Sequence, residues 1–161
     1  MIARWIGRLL ALVAGRGSAS IPFVQQTAEA DCGPACLAMV LSHLGRPASL
    51  DSIVGAFDVG PNGVTALQIV EVARRLGLPA VGVQIEADSV DALAPASILH
   101  WRGNHFVVLQ VVHESFVEIV DPAVGHARIP TAEFCARFSG TAIVFDADLR
   151  QTNKPQPPSL D

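Results

Sequence analysis

The stretch from Gln26 to Gly45, QTAEADCGPACLAMVLSHLG, constrains this chain more than any other. A polar approach turns there into a helix. Asp31 is placed as its N-cap, Gly33 and Pro34 suit a first turn, and Gly45 supplies the stop. Leu37, Val40, Leu41 and Leu44 recur at helical spacing and are expected to bury one face. Cys32 therefore stands where the helix begins. Unpaired backbone N–H groups and the positive end of the helix dipole favour an anion at that point. A thiol so placed gives up its proton more readily, and the thiolate is the nucleophile. A free cysteine is more often a small buried residue, so this stretch alone leaves both roles open.

Half of the 161 residues are hydrophobic, enough for one domain with a substantial core. With 11 basic against 15 acidic residues the net charge is −4, which marks no nucleic-acid surface. Three cysteines, at 32, 36 and 135, do not make a disulfide framework and fit a reducing compartment. Cys32 and Cys36 lack the second paired cluster that a zinc site needs, so no metal is expected. No apolar run of about 18 residues is present, so a membrane span is not expected.

Residues 1–22 form an N-terminal extension. Ile2, Trp5, Ile6, Leu9 and Val13 share one helical face there, with Arg4, Arg8 and Arg16 elsewhere. This pattern suits contact with a membrane surface or a partner through residues 1–16. A segment folded back on its own domain, or a secretory signal, would use similar residues. Residues 23–146 form the main domain. After the central helix, Ser49 caps a short helix through Phe57, and Gly60 to Gly63 make a loop. Thr65 and Gln68 form a capping box for a helix ending at Leu76–Gly77, with Leu67, Val70 and Leu76 assigned to the core. Beyond Pro79 the pattern turns to strands at 80–85, 96–101, 105–112, 116–120, 126–129 and 141–145. A helical turn at 89–93 and a short helix from Thr131 to Phe138 interrupt them. Helices first and an antiparallel sheet second make an α+β fold. Residues 147–161 are polar and proline-bearing, a linker or tail.

A nucleophilic cysteine needs a base, and the base needs a group to orient it. Strands 105–112 and 116–120, folded about residues 113–115, bring Asp121 beside His105 to Val107. Opposite residues lie about 4.5–5.5 Å apart and diagonal ones about 7–8 Å, close enough for the two side chains to meet. Asp121 would then hold one imidazole nitrogen and leave the other for the cysteine. A shift of one residue in register would turn either side chain to the opposite face. His43, His113 and His126 are less well placed, and His100 lacks a matching acid. Negative charge built on a substrate carbonyl oxygen also calls for donors. The Cys32 N–H is one, and the side-chain amide of Gln25 or Gln26 is a second.

Taken together, three motifs resemble the peptidase C39 family, papain-like domains at the N-terminus of bacteriocin-processing ABC transporters. They are Gln26-Thr-Ala-Glu-Ala-Asp31-Cys32-Gly33-Pro-Ala-Cys36-Leu, His100-Trp-Arg-Gly-Asn-His105-Phe-Val-Val-Leu and Asp121-Pro-Ala-Val-Gly125. The resemblance runs from about Phe23 to Phe145. It implies a papain-like fold, with the helical N-terminal half packed on the C-terminal sheet. It implies Cys32 as nucleophile, His105 as base, Asp121 as orienting acid and Gln26, rather than Gln25, as oxyanion donor, with no cofactor. It further implies cleavage of precursor peptides after a Gly-Gly leader, beside an ABC exporter on the cytoplasmic face of the bacterial plasma membrane. A domain that binds such leaders without cutting them is the alternative. Family transporters continue into membrane helices and an ATP-binding domain, which these residues do not contain. The exporter would therefore act in cis, as part of a longer protein, or in trans.

Overall fold

The computed structural model describes residues 19–146. The amphipathic pattern at 1–16 and the tail at 147–161 lie outside the described residues. A 3-10 turn, Glu29–Asp31, leads directly into helix α1, Cys32–His43. The expected single apolar face of α1 gives way to burial on all sides from Cys32 to Leu41. The cause is its central position, in contact with the sheet on one side and two further helices on others. Ala35, Ala38 and Gly33 keep the helix slim enough to be enclosed.

Those helices are α2, Leu50–Val54, and α3, Ala66–Arg75. Ser49 Oγ accepts the Ser52 N–H at 3.2 Å, as its N-cap placement requires. The capping box of α3 is also present. The Thr65 N–H donates to Gln68 Oε1 at 2.8 Å and the Gln68 N–H to Thr65 Oγ1 at 3.2 Å. Ile69, Val70, Val72 and Ala73 form its buried stripe. Leu67 is 64% exposed, against expectation, because it lies in the first turn outside that stripe.

Six strands follow, β1 Ala80–Gln84, β2 Ile98–Trp101, β3 His105–Val112, β4 Phe116–Asp121, β5 Gly125–Pro130 and β6 Phe138–Phe145. They make one antiparallel sheet in the order β1-β6-β2-β3-β4-β5. A 3-10 turn at Ala87–Ala92 and helix α4, Thr131–Arg137, complete the chain. The sequence also allows Thr131 to cap α4. It lies within the helix instead, after Pro130, and its hydroxyl turns back to Glu114 O at 3.5 Å.

Alternation along β2 and β3 divides the core in two. Ile98, Phe106 and Val108 join the cluster around α1, together with Val120. Leu99, Trp101, Val107 and Leu109 join a second cluster with Phe134 and Phe138. The helical half thus packs on one face of the sheet, as expected, while α4 and the second 3-10 turn cover the other.

Candidate active site

Cys32 is the first residue of α1 and is only 3% exposed. Asp31 precedes the helix, but its side chain makes no hydrogen bond to the first turn of α1. Oδ2 of Asp31 instead accepts from Thr27 Oγ1 at 2.7 Å and from the Ala28 N–H at 3.1 Å. Gly33 is where Val64 and Ile69 press onto the helix start. A Cβ there would overlap Val64 Cγ2 and lie 3.1 Å from Ile69 Cδ1.

His105 opens β3 and Asp121 ends β4. His105 Nε2 and Asp121 Oδ1 are 2.9 Å apart. A one-residue irregularity brings them together. Val112 pairs with Val117 and Val111 with Glu118, but the register then slips so that Leu109 pairs with Ile119 and Val108 with Val120. Gln110 is the extra residue of this bulge. Continuing one step, Asp121 stands opposite Val107, with His105 as its diagonal neighbour on the same side. An unbroken register would set Asp121 opposite Val108 and turn it away from His105. Sequence reasoning reached the pairing without seeing the bulge. The buried amide of Gln110, a polar residue amid an apolar β-branched run, was its only visible trace. Its Oε1 accepts the Ile21 N–H at 2.8 Å.

Asp121 Oδ1 also accepts the Ala123 N–H at 2.8 Å, which fixes the carboxylate from behind. Burial alone would raise the Asp121 carboxyl. Its hydrogen bonds to His105 and Ala123, then the positive charges of His105 and Arg137, hold it below the ordinary value. His105 is raised to about 9, first by its hydrogen bond to Asp121 and next by one to Cys32, with burial opposing. The ring's Nε2 is therefore committed to Asp121, which leaves Nδ1 for Cys32.

The Gln26 N–H donates to Pro122 O at 2.9 Å, tying the approach to Cys32 onto the Asp121 turn. Gln26 Nε2 donates to Ala28 O at 3.0 Å, which leaves its second N–H uncommitted. Gln25 is exposed. The other histidines have separate surroundings. His100 Nδ1 lies 2.8 Å from Ser139 Oγ and its ring packs on Phe106. His113 stacks on Phe116, and burial lowers the pKa of His43. Cys36, one turn along from Cys32, is fully buried. Burial, and then the charges of Cys32 and Asp121, push its thiol well above the ordinary value. No group of three or more His, Cys, Asp or Glu residues among the described ones could hold a metal ion.

The model of the peptidase C39 family matches residues 20–149. The chain belongs to that family. The colicin V secretion/processing ATP-binding protein CvaB of Escherichia coli is 33% identical over 143 residues, 89% of this chain and 20% of that protein. This chain thus spans about a fifth of the length of that curated relative. The crystal structure of a double glycine motif protease from an AMS/PCAT transporter, in complex with the leader peptide, superposes with a TM-score of 0.76. It is 35% identical, over 81% of this chain and 94% of that one. The peptidase domain of Streptococcus ComA, a bi-functional ABC transporter involved in a quorum sensing pathway, gives a TM-score of 0.71. The identity is 30%, over 78% of this chain and 97% of that one. The fold is therefore that of the C39 peptidases, α+β and papain-like.

Proposed function

We propose that this chain is a cysteine endopeptidase that removes a leader from secreted peptide precursors by cutting after a Gly-Gly pair. The observation that carries this reading is the His105–Asp121 pair, Nε2 to Oδ1 at 2.9 Å, with Cys32 at the start of α1 among the groups that raise the His105 pKa. In the proposed cycle the Cys32 thiolate attacks the carbonyl carbon of the second glycine. The oxygen takes up the negative charge, and the Cys32 N–H and the free N–H of Gln26 Nε2 stabilise it. Collapse breaks the C–N bond, and the His105 imidazolium protonates the departing amine. Water, deprotonated by His105, then attacks the thioester and frees the leader acid and the thiolate. Asp121 keeps the ring oriented through both steps. A narrow cleft that excludes side chains would select glycine by steric clash with anything larger.

Residues 23–146 are proposed as the peptidase domain, 1–22 as an extension and 147–161 as a spacer. No helix of the described residues is long and apolar enough to cross a membrane. The name of the Escherichia coli relative, a secretion and processing protein, supports a place on the cytoplasmic face of the plasma membrane beside an ABC exporter, in cis or in trans. Residues 1–16 would add a membrane-surface contact, and membrane fractionation of a variant lacking them tests it. Incubation with a Gly-Gly leader peptide, followed by mass spectrometry, tests the activity. A single cut after the pair, abolished in Cys32→Ala with the fold intact by circular dichroism, is the expected result. An intact peptide that nevertheless binds would show a leader-binding module instead, and cuts at other bonds a broader protease.

A further inference from the structure

We propose that Asp31 is a positioning residue that sets the Gln26 amide at the oxyanion site, an inference that rests on the role given to Gln26 above. Asp31 is only 8% exposed, yet its side chain does not cap α1 and meets no basic group in the hydrogen bonds of the site; it reaches back instead to the N-cap of the 3-10 turn Glu29–Asp31. One oxygen, Oδ2, receives both the Thr27 hydroxyl and the Ala28 N–H. The Ala28 carbonyl in turn receives two donors, the Asp31 N–H at 3.1 Å and Gln26 Nε2 at 3.0 Å. Ala28 is thus clamped at its N–H by the Asp31 side chain and at its carbonyl oxygen by the Asp31 backbone. That same oxygen holds the Gln26 amide. Asp31 is also bonded through the backbone to Cys32, whose N–H is the other proposed donor. The two donors of the oxyanion site are linked by this one residue.

Charge does not explain a carboxylate at this position. A negative group one residue from the nucleophile opposes both the thiolate and the oxyanion that forms from it. What the side chain supplies is an acceptor that can take two donors on one oxygen, and an amide oxygen can do the same. Asp31 therefore acts through geometry. A loosened clamp lets the Gln26 amide drift, and a displaced donor stabilises the transition state less while leaving substrate binding alone.

The test is a double-mutant cycle on leader cleavage. Gln26→Ala is expected to lower kcat roughly 10²–10³-fold, as loss of one oxyanion donor does. Asp31→Ala should lower kcat by part of that factor with KM unchanged, and the Gln26→Ala/Asp31→Ala pair should be no slower than Gln26→Ala alone. A peptide aldehyde, whose adduct with Cys32 places an oxygen at the same site, should bind Asp31→Ala more weakly in proportion to the loss in kcat. Asp31→Asn should retain most of kcat. Should Asp31→Ala not fold, Thr27→Val removes one of the two bonds at an exposed residue and should show a smaller kcat loss that vanishes in a Gln26→Ala background. Multiplicative losses in either cycle, a change in KM alone, or an Asp31→Asn as slow as Asp31→Ala would overturn the inference while leaving Gln26 in its role. A Gln26→Ala variant with unchanged kcat would overturn the role of Gln26 itself, and the positioning of its amide with it.

Discussion

The two arms of the site are assembled over very different lengths of chain. Around Cys32 the hydrogen bonds that shape the approach span two to four residues, Gln26 to Ala28, Ala28 to Asp31 and Thr27 to Asp31. The pair His105–Asp121 joins residues 16 apart, through a hairpin whose register slips once at Gln110. The nucleophile arm is therefore defined by local sequence and by what packs on the helix start. The base arm is defined by pairing, where a single residue added or lost reverses the face of everything beyond it. The two arms meet where Gln26 N–H reaches Pro122 O, beside the acid.

With Cys32 left in place, breaking the base arm should give the largest effect. His105→Ala is expected to slow leader cleavage by roughly 10²–10⁴-fold, the contribution of a positioned proton-transfer group, with the fold intact by circular dichroism. Asp121→Ala should fall short of that loss, because the imidazole remains but is no longer held. It should also move the pH profile. With His105 raised to about 9, wild-type cleavage should decline as pH rises through that value and the imidazolium is lost. Without Asp121 the alkaline limb should shift down toward the ordinary 6.5, and an unshifted limb would show that Asp121 does not orient the base. The same linkage sets stability. The raised His105 contributes fully below pH 6.5, and that contribution is lost as pH rises through about 9. The lowered Asp121 contributes above its ordinary 3.8 and loses that contribution as pH falls.

The nucleophile arm can be disturbed without touching a reacting group. Gly33→Ala would drive a methyl into Val64 and crowd Ile69. Overpacking of this kind costs about 1–3 kcal/mol and shifts backbone, here at the residue after Cys32. A several-fold loss in kcat should accompany the lowered melting temperature, and Val64→Ala in the same chain should restore part of both. Loss of stability with unchanged kcat would mean that the helix start absorbs the methyl without moving Cys32.

This contrast also accounts for what the sequence made legible. Helix starts announce themselves through residues three or four apart, so Cys32 at a helix N-terminus and the Thr65–Gln68 box were both readable. The pairing of His105 with Asp121 followed from counting outward from a turn, and the family motifs pointed to the same two residues. Other features were not readable, three of them in the helical half. Burial of α1 on all sides depends on what surrounds it, which no periodicity within the helix encodes. Leu67 has the chemistry of a core residue, and only the position of the α3 stripe leaves it outside. Asp31 has the residue type of an N-cap and stands where one is wanted, yet two donors on its other side compete successfully for its oxygen. Local propensity names the groups able to bond, while tertiary geometry decides among them.

The smallest effect is expected from the cysteine one turn beyond the nucleophile. Cys36 shares a helix with Cys32 but not its circumstances. It lies inside the core with no exposed surface, and burial first of all keeps its thiol protonated. A protonated, enclosed thiol is a poor nucleophile and behaves as a small apolar side chain. Cys36→Ala should therefore cut the leader at close to the wild-type rate, with only a modest drop in melting temperature for the missing sulfur. Under native conditions a thiol-alkylating reagent should modify Cys32, leave Cys36 untouched, and reach Cys36 only after unfolding. Labelling of Cys36 in the native protein at a rate matching Cys32 would mean that the helix start opens readily. The short-range bonds around Asp31 would then not hold the nucleophile arm as rigidly as the contrast between the two arms requires.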